Sequence, residues 1–296
     1  MVRKKSALER IFGIFNVLFM ILVVFITLYP MYYVLVCSLS DSANLIGSRG
    51  LILFPQGFEL AAYKAVFKNP NIMTGYRTTI IVLVVGTTMS VLTTAIGAFL
   101  TTRKNMLLSK PLMYGMVFTM YFSGGMMPTY LVVKNILKLD DSILALILPE
   151  MISVYNLIIM KSNFESLPAS LEEAARVDGA NDIRLLFQIV LPLSKAVIAV
   201  MVLYYGVAYW NAWFGAMMYI RTRAKYPLQI ILREILLSNS VGTMGGEMSS
   251  SAGDQYMIGE SIKYATIMVA TLPILFLYPF IQKYFVRGVM IGAVKG

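Results

Sequence analysis

From Ile11 to Val36 the chain runs for 26 residues without a charged side chain. An α-helix rises about 1.5 Å per residue, so roughly 20 apolar residues cross a hydrocarbon core of about 30 Å. In lipid each backbone N–H and C=O must be paired within its own segment or in a closed barrel. A single uninterrupted run of this length therefore reads as a membrane-spanning helix. The basic residues before it (Arg3, Lys4, Lys5, Arg10) resemble the start of a signal peptide. The run is too long for the apolar region of such a peptide and has no small-residue cleavage site near its end, so a retained signal-anchor helix is expected.

The same character extends through the chain. Of its 296 residues, 58% are hydrophobic and only 14% charged, where a soluble domain carries about a quarter. Apolar runs predict six spans, at about 11–36, 78–100, 111–133, 143–160, 196–220 and 262–282. The expected fold class is all-α: a polytopic membrane protein with one transmembrane domain over 11–296, preceded by an arm at 1–10. With the arm inside, the short loop carrying Arg103, Lys104 and Lys110 also faces the cytoplasm, as the positive-inside rule asks. Both termini are then cytoplasmic. The net charge of +10 follows from that rule and does not call for nucleic acid. The long segments at about 37–77 and 221–261 fall outside. The first includes a short helical stretch, Ala61–Phe67, and residues 238–255 are rich in Ser and Gly, as in a mobile loop. No repeat of 20–50 residues is evident.

Absences remove much chemistry. The sequence has no histidine and a single cysteine, Cys37, which excludes imidazole catalysis, an intrachain disulfide and a CxxC metal site. No GxxxxGK[ST] string is present to cradle nucleotide phosphates. A membrane enzyme therefore lacks its catalytic groups. A secondary transporter or channel would usually show charged midplane residues or paired broken helices, and the central stretches of these spans hold almost none. The 21 methionines read as adaptable packing residues.

Between the fourth and fifth spans lies a polar segment, about 161–195. Pro168 suits a helix start, and Ser170 with Glu173 predicts an S-x-x-E capping box. Leu171, Ala174, Ala175 and Val177 supply an apolar stripe. Gly179 falls where a helix ends in a left-handed residue. Asn181 and Asp182 can cap a second helix reaching Gln188, and Leu191-Pro192 marks the entry to the next span. A rigid helix–turn–helix between two membrane helices is expected.

Glu173-Ala174-Ala175, three residues, Gly179, nine residues, then Ile189-Val190-Leu191-Pro192 resembles the EAA signature of ABC importer permeases, EAA-x3-G-x9-I-x-LP, at every position. Asp178-Gly179-Ala180, Tyr209-Trp210-Asn211, Trp213-Phe214 and the tail from Gly288 to Gly296 are similar to the carbohydrate-uptake, maltose-permease-like branch. Tyr29-Pro30, Ser38 to Asp41, Ser123-Gly124-Gly125, Pro128-Thr129-Tyr130 and Asn156 to Met160 resemble permeases for complex oligosaccharides of the pectin or aldouronate type.

The resemblance implies a permease of an ATP-driven, binding-protein-dependent oligosaccharide importer in the bacterial cytoplasmic membrane. Its implied partners are a second, homologous permease, two ATP-binding subunits and an extracytoplasmic solute-binding protein. This chain would bind no cofactor, ATP and Mg being held by the ATP-binding subunits. The implied coupling residues are Glu172, Glu173, Ala174, Ala175, Asp178, Gly179, Ala180, Ile189, Leu191 and Pro192.

A sugar path needs hydroxyl-bonding groups and aromatic faces. The fifth span offers Tyr205, Tyr209, Trp210 and Asn211, and the fourth offers Asn156, with Glu150 near its start. Tyr and Trp also form interfacial belts, and a buried Asn also pairs with a neighbouring helix. For these residues both readings stay open.

Overall fold

The computed structural model describes residues 6–47, 51–103, 106–241 and 261–276. The basic residues before Ser6, Lys104, the Ser/Gly-rich stretch from 242, the end of the sixth expected span and the glycine-containing tail lie outside them. The described residues are helical almost throughout, and their only β-pairing is an isolated bridge between Ser40 and Phe58. The chain is thus an all-α protein. It divides into two compact units, Met1–Asn69 with Leu232–Leu272, and Pro70–Ile231 with Pro273–Gly296.

In the first unit, α1 (Ala7–Ser38) starts at a capping box, with the Ser6 N–H donating to Glu9 Oε2 at 2.9 Å. Its apolar residues from Leu8 to Phe25 are exposed all around the helix, as suits a helix whose solvent is hydrocarbon. Only its C-terminal turns are packed. There Val36 and Cys37 join Leu45 of α2 (Ser42–Gly47) and Ile52 in a core flanked by Tyr33 and Tyr264. Hydroxyl pairing of Ser42 with Ser261 at 2.7 Å fastens this core to α14 (Ser261–Phe276), the last described helix. The short helix expected near 61–67 is α3 (Ala61–Lys68).

The second unit is built on α4 (Pro70–Thr102), 33 residues long. Gly75, Thr79, Val82, Gly86, Ser90, Thr94 and Ala98 are buried on it at spacings of three or four, which stacks them along one stripe. Small residues let neighbouring backbones come close, and in lipid close packing is the main attraction between helices.

The expected third, fourth and fifth spans are each interrupted. The third divides into α5 (Ser109–Tyr121) and α6 (Met126–Leu131), the latter continuing as a π-helical turn to Ile136, with a bend of 118° between the two arms. The break falls at Ser123-Gly124-Gly125, where Gly125 has φ +86°, a conformation no helix interior accepts. The fourth begins as 3-10 turns, Ile143–Leu146 and Leu148–Glu150, bent by 53° from α7 (Val154–Glu165). Pro149 cannot donate to a ladder there, and Ser153 restarts the helix as its cap.

Next come α8 (Ala169–Val177) and α9 (Asp182–Leu185). α9 continues through a π turn into α10 (Leu191–Leu193), and an 85° bend at Ser194 leads into α11 (Lys195–Asn211). The fifth expected span stops at Asn211 and resumes as α12 (Phe214–Tyr219). α13 (Leu228–Val241) is held at its first residue, where the Leu228 N–H donates to Thr79 Oγ1 at 2.8 Å. Two described helices, α1 and α4, are long and apolar enough to cross a membrane unbroken. Three further crossings require that each bent pair act as one.

Candidate functional site

Within 168–193, the short helices α8 and α9 flank a turn at Gly179, and two details differ from the sequence reading. The first helix starts two residues earlier than a Ser170 cap requires: Pro168 takes the cap position in extended backbone and Ser170 lies inside the helix. The Ser170–Glu173 capping box therefore does not form. The expected apolar stripe is also not a buried stripe. Ala175 is buried, whereas Leu171, Ala174 and Val177 are exposed, Val177 to 88%.

Gly179 has φ +79°. The Ala180 N–H donates to the Ala175 carbonyl at 2.9 Å and the Gly179 N–H to the Arg176 carbonyl at 3.0 Å, the bond pair of a Schellman cap. Asn181 then caps α9 by accepting from the Arg184 N–H at 2.9 Å, and Arg176 pairs with Asp182 across the turn at 2.7 Å. Leu185, Leu186 and Val190 are buried and anchor the second arm. Ile189 and Leu191 are half-buried, and Asp178 and Pro192 are exposed with Glu173. The hairpin is rooted by its second arm and presents its first.

Glu172 points elsewhere. Both of its carboxylate oxygens accept from Arg103, Oε2 from Nη1 and Oε1 from Nη2, each at 2.7 Å. The guanidinium lies 4.1 Å from the centre of the Phe99 ring. Arg103 beside it holds the Glu172 carboxyl below the usual carboxylate range. The sequence marks Arg103 only as a charge that orients the chain. No local signal links it to a residue 69 positions away.

The second unit also contains a partly open cavity of about 1240 Å³, above the roughly 300–1,000 Å³ of small-molecule pockets. Asn156, Tyr205, Tyr209 and Trp210 line it, as do Ser123, Thr129, Glu150 and Trp213. Glu150 is the one carboxylate among the described lining residues. The two tyrosines are also ties between helices. The Tyr205 hydroxyl shares a hydrogen bond with Thr94 Oγ1 at 2.7 Å and accepts from the Ser153 N–H at 3.0 Å. The Tyr209 hydroxyl shares one with Ser90 Oγ at 2.9 Å and donates to the Ile147 carbonyl at 3.3 Å. Each tyrosine is thus both cavity wall and a tie between helices.

Asn211 is not among the lining residues: it is exposed, and its amide donates to the Val207 carbonyl one turn back at 2.9 Å. Two lining residues carry buried polar atoms with no partner among the described residues, Trp210 Nε1 and Thr87 Oγ1. Thr87 was not singled out from the sequence, since nothing local distinguishes it from the other threonines of α4.

No protein-family model matches the chain. It is 41% identical over 288 residues to the polygalacturonan/rhamnogalacturonan transport system permease protein YtcP of Bacillus subtilis, covering 97% of this chain and 99% of that one. It is 42% identical to protein LplC of the same organism, over 97% and 96% of the two chains. Among solved structures it is similar to a chain of a bacterial ABC transporter involved in import of the acidic polysaccharide alginate. The TM-score is 0.85 at 29% identity, over 95% of this chain and 99% of that one. With this extent of identity, and an all-α fold shared with a solved importer, the chain belongs to the integral-membrane permease subunits of ABC-type sugar importers.

Proposed function

We propose that the chain is a six-span subunit of an ATP-driven, binding-protein-dependent importer of oligosaccharides, with both termini in the cytoplasm. The six crossings are the spans expected at about 11–36, 78–100, 111–133, 143–160, 196–220 and 262–282, of which α1 and α4 carry the first two unbroken. The partners are a second, homologous permease, two ATP-binding subunits and an extracytoplasmic solute-binding protein. ATP and Mg are bound and hydrolysed by the ATP-binding subunits, because this sequence has no phosphate-cradling loop.

The observation that carries this reading is the α8–Gly179–α9 hairpin, which combines the full EAA spacing with an exposed first arm and a second arm anchored by buried Leu185, Leu186 and Val190. Leu171, Ala174 and Val177 offer an apolar docking face with small residues for close approach, and exposed Glu173 is free to meet a basic group of the ATP-binding subunit. Closure of the ATPase dimer displaces the hairpin. The displacement tilts the bent spans and switches the cavity between outward- and inward-facing states. Sugar crosses beside Tyr205, Tyr209 and Trp210, whose aromatic faces suit the C–H side of a pyranose, while Asn156, Thr87 and Glu150 meet its hydroxyls. Fragments of polygalacturonan, rhamnogalacturonan and alginate, the polysaccharides named for the relatives, are the first substrates to try.

The test is reconstitution. Co-purified with its second permease and ATP-binding subunits in proteoliposomes, the complex should take up oligosaccharide only with ATP inside and the binding protein outside. Uptake driven by a proton or sodium gradient without ATP would replace this reading by secondary transport. Saturable nucleotide binding by the isolated chain would overturn the assignment of ATP to the partners.

A further inference from the structure

We propose that the Arg103–Glu172 pair is a strut: it carries displacement of the hairpin into α4, and Arg103 is therefore a positioning residue for transport. The inference rests on the reading of the hairpin as the docking element.

Of the nine residues of α8, only Ala175 is buried. A helix so lightly packed transmits a push through what fixes it. One fixture is the covalent chain at its two ends. Beside the packing of Ala175 and the Arg176–Asp182 pair within the hairpin, a further one is Glu172, on α8 itself, clasped by Arg103 just past the end of α4 with two bonds of 2.7 Å. The clasp is held from its other side as well. The guanidinium sits over Phe99, on the preceding turn of α4, and its Nε and Nη2 donate to Thr102 Oγ1 at 3.3 and 3.2 Å. Two parallel bonds between planar groups resist rotation, as a single contact between point charges does not. A half-buried pair of this kind adds little stability on its own, but it fixes direction.

From there the force has a physical route. Thr94 and Ser90 lie 9 and 13 residues before Arg103 on α4, about 14 and 20 Å along a helix at 1.5 Å per residue. Their hydroxyls are the ones bonded to Tyr205 and Tyr209 of α11, and both tyrosines line the cavity. A shift of α8 reaches the cavity wall through Glu172, Arg103, the body of α4 and two hydroxyl ties. It also separates two neighbouring carboxylates by role: Glu173 stands outward for the partner, and Glu172 faces inward to its own span.

The experiment uses the complete importer in proteoliposomes. It compares wild type, Arg103→Ala, Arg103→Lys and the exchange Arg103→Glu with Glu172→Arg. Uptake, ATP hydrolysis with and without sugar-loaded binding protein, and retention of the ATP-binding subunits are measured for each. Arg103→Ala should retain those subunits and its unstimulated hydrolysis, while uptake and the stimulated component fall about tenfold. Arg103→Lys, which keeps the charge and loses the fork, should fall between. The exchange should recover most of the lost uptake.

Wild-type uptake by Arg103→Ala overturns the strut alone. So does a loss that the exchange fails to rescue, or one matched by loss of the ATP-binding subunits, since either means that the pair merely holds the fold. Absence of ATP-driven uptake in the wild-type complex overturns the transport reading, and the strut with it.

Discussion

The ring of Tyr209 lies so close to Gly86 that a β-carbon at position 86 would stand 2.8 Å from two of its carbons. Carbon atoms do not approach so closely without displacement. The missing side chain at 86 is what lets Tyr209 reach both Ser90 and the Ile147 carbonyl.

Gly86→Ala should therefore push the ring aside and strain both bonds. Overpacking of this kind costs about 1–3 kcal/mol. The thermal midpoint of the purified complex in detergent should fall, and uptake with it. An unchanged midpoint would mean that α4 and α11 can part by a few tenths of an ångström at no cost.

Tyr205→Phe and Tyr209→Phe should each remove hydroxyl ties while keeping the aromatic face, at about 1–2 kcal/mol of stability. Asn211→Ala should leave uptake unchanged, because its amide serves only the carbonyl of its own helix in the described structure. Thermal midpoints check the first statement, and uptake by the three variants, normalised to membrane level, checks the second. A defect in Asn211→Ala equal to that of Tyr209→Phe would return Asn211 to the sugar path.

Gly179→Val and Glu173→Ala should fail in different ways. No atom lies within 4 Å of a β-carbon at 179, so the cost there is conformational: φ is +79°, and a side chain in that region costs about 1 kcal/mol or more, a branched one more still. Gly179→Val should deform the hairpin and shed the ATP-binding subunits in detergent, with the spans inserted at normal levels. Glu173→Ala leaves the backbone alone and should weaken uptake by loss of a docking contact. Co-purification and uptake separate the two, and normal uptake by Gly179→Val would show that the hairpin is not the transmission element.

Asp141 predicts a pH dependence. Its carboxylate accepts from Lys225 Nζ at 2.8 Å, from Thr222 Oγ1 at 2.7 Å and from the N–H groups of Thr222 and Arg221. These bonds, Lys225 first, hold its carboxyl well below the usual range. A group whose pKa is lowered by folding adds stability that is complete above its unfolded value, about 3.9, and is lost as pH falls further toward the folded one. Asp141→Asn should therefore lower the thermal midpoint at pH 7, and the gap to wild type should narrow progressively below about pH 4. A gap that stays constant down to pH 3 would mean that the charge of Asp141 contributes nothing.

The hairpin was legible because its determinants are local. Gly179 six residues after Glu173, and Asn181 two further on, set the turn through dihedral preference and capping alone. What local reasoning mistook there was a choice between two starts two residues apart: Pro168 and Ser170 are both good openers, and the chain takes the earlier. The breaks at Gly124-Gly125 and around Pro149 were visible as residues but not as bends, because hydropathy is blind to direction.

Local chemistry by itself therefore determined that this chain is helical, that it lies in a membrane, and that a capped hairpin carrying the EAA spacing stands between two of its apolar runs. Charge-free length and residue-level conformational preference act within a few turns and need no neighbour. Tertiary structure alone decided that Arg103 clasps Glu172, that Thr94 meets Tyr205 and that Ser90 meets Tyr209, across 69, 111 and 119 positions. Those pairings depend on the rotation and register of whole helices against one another, to which every small residue along α4 contributes a little.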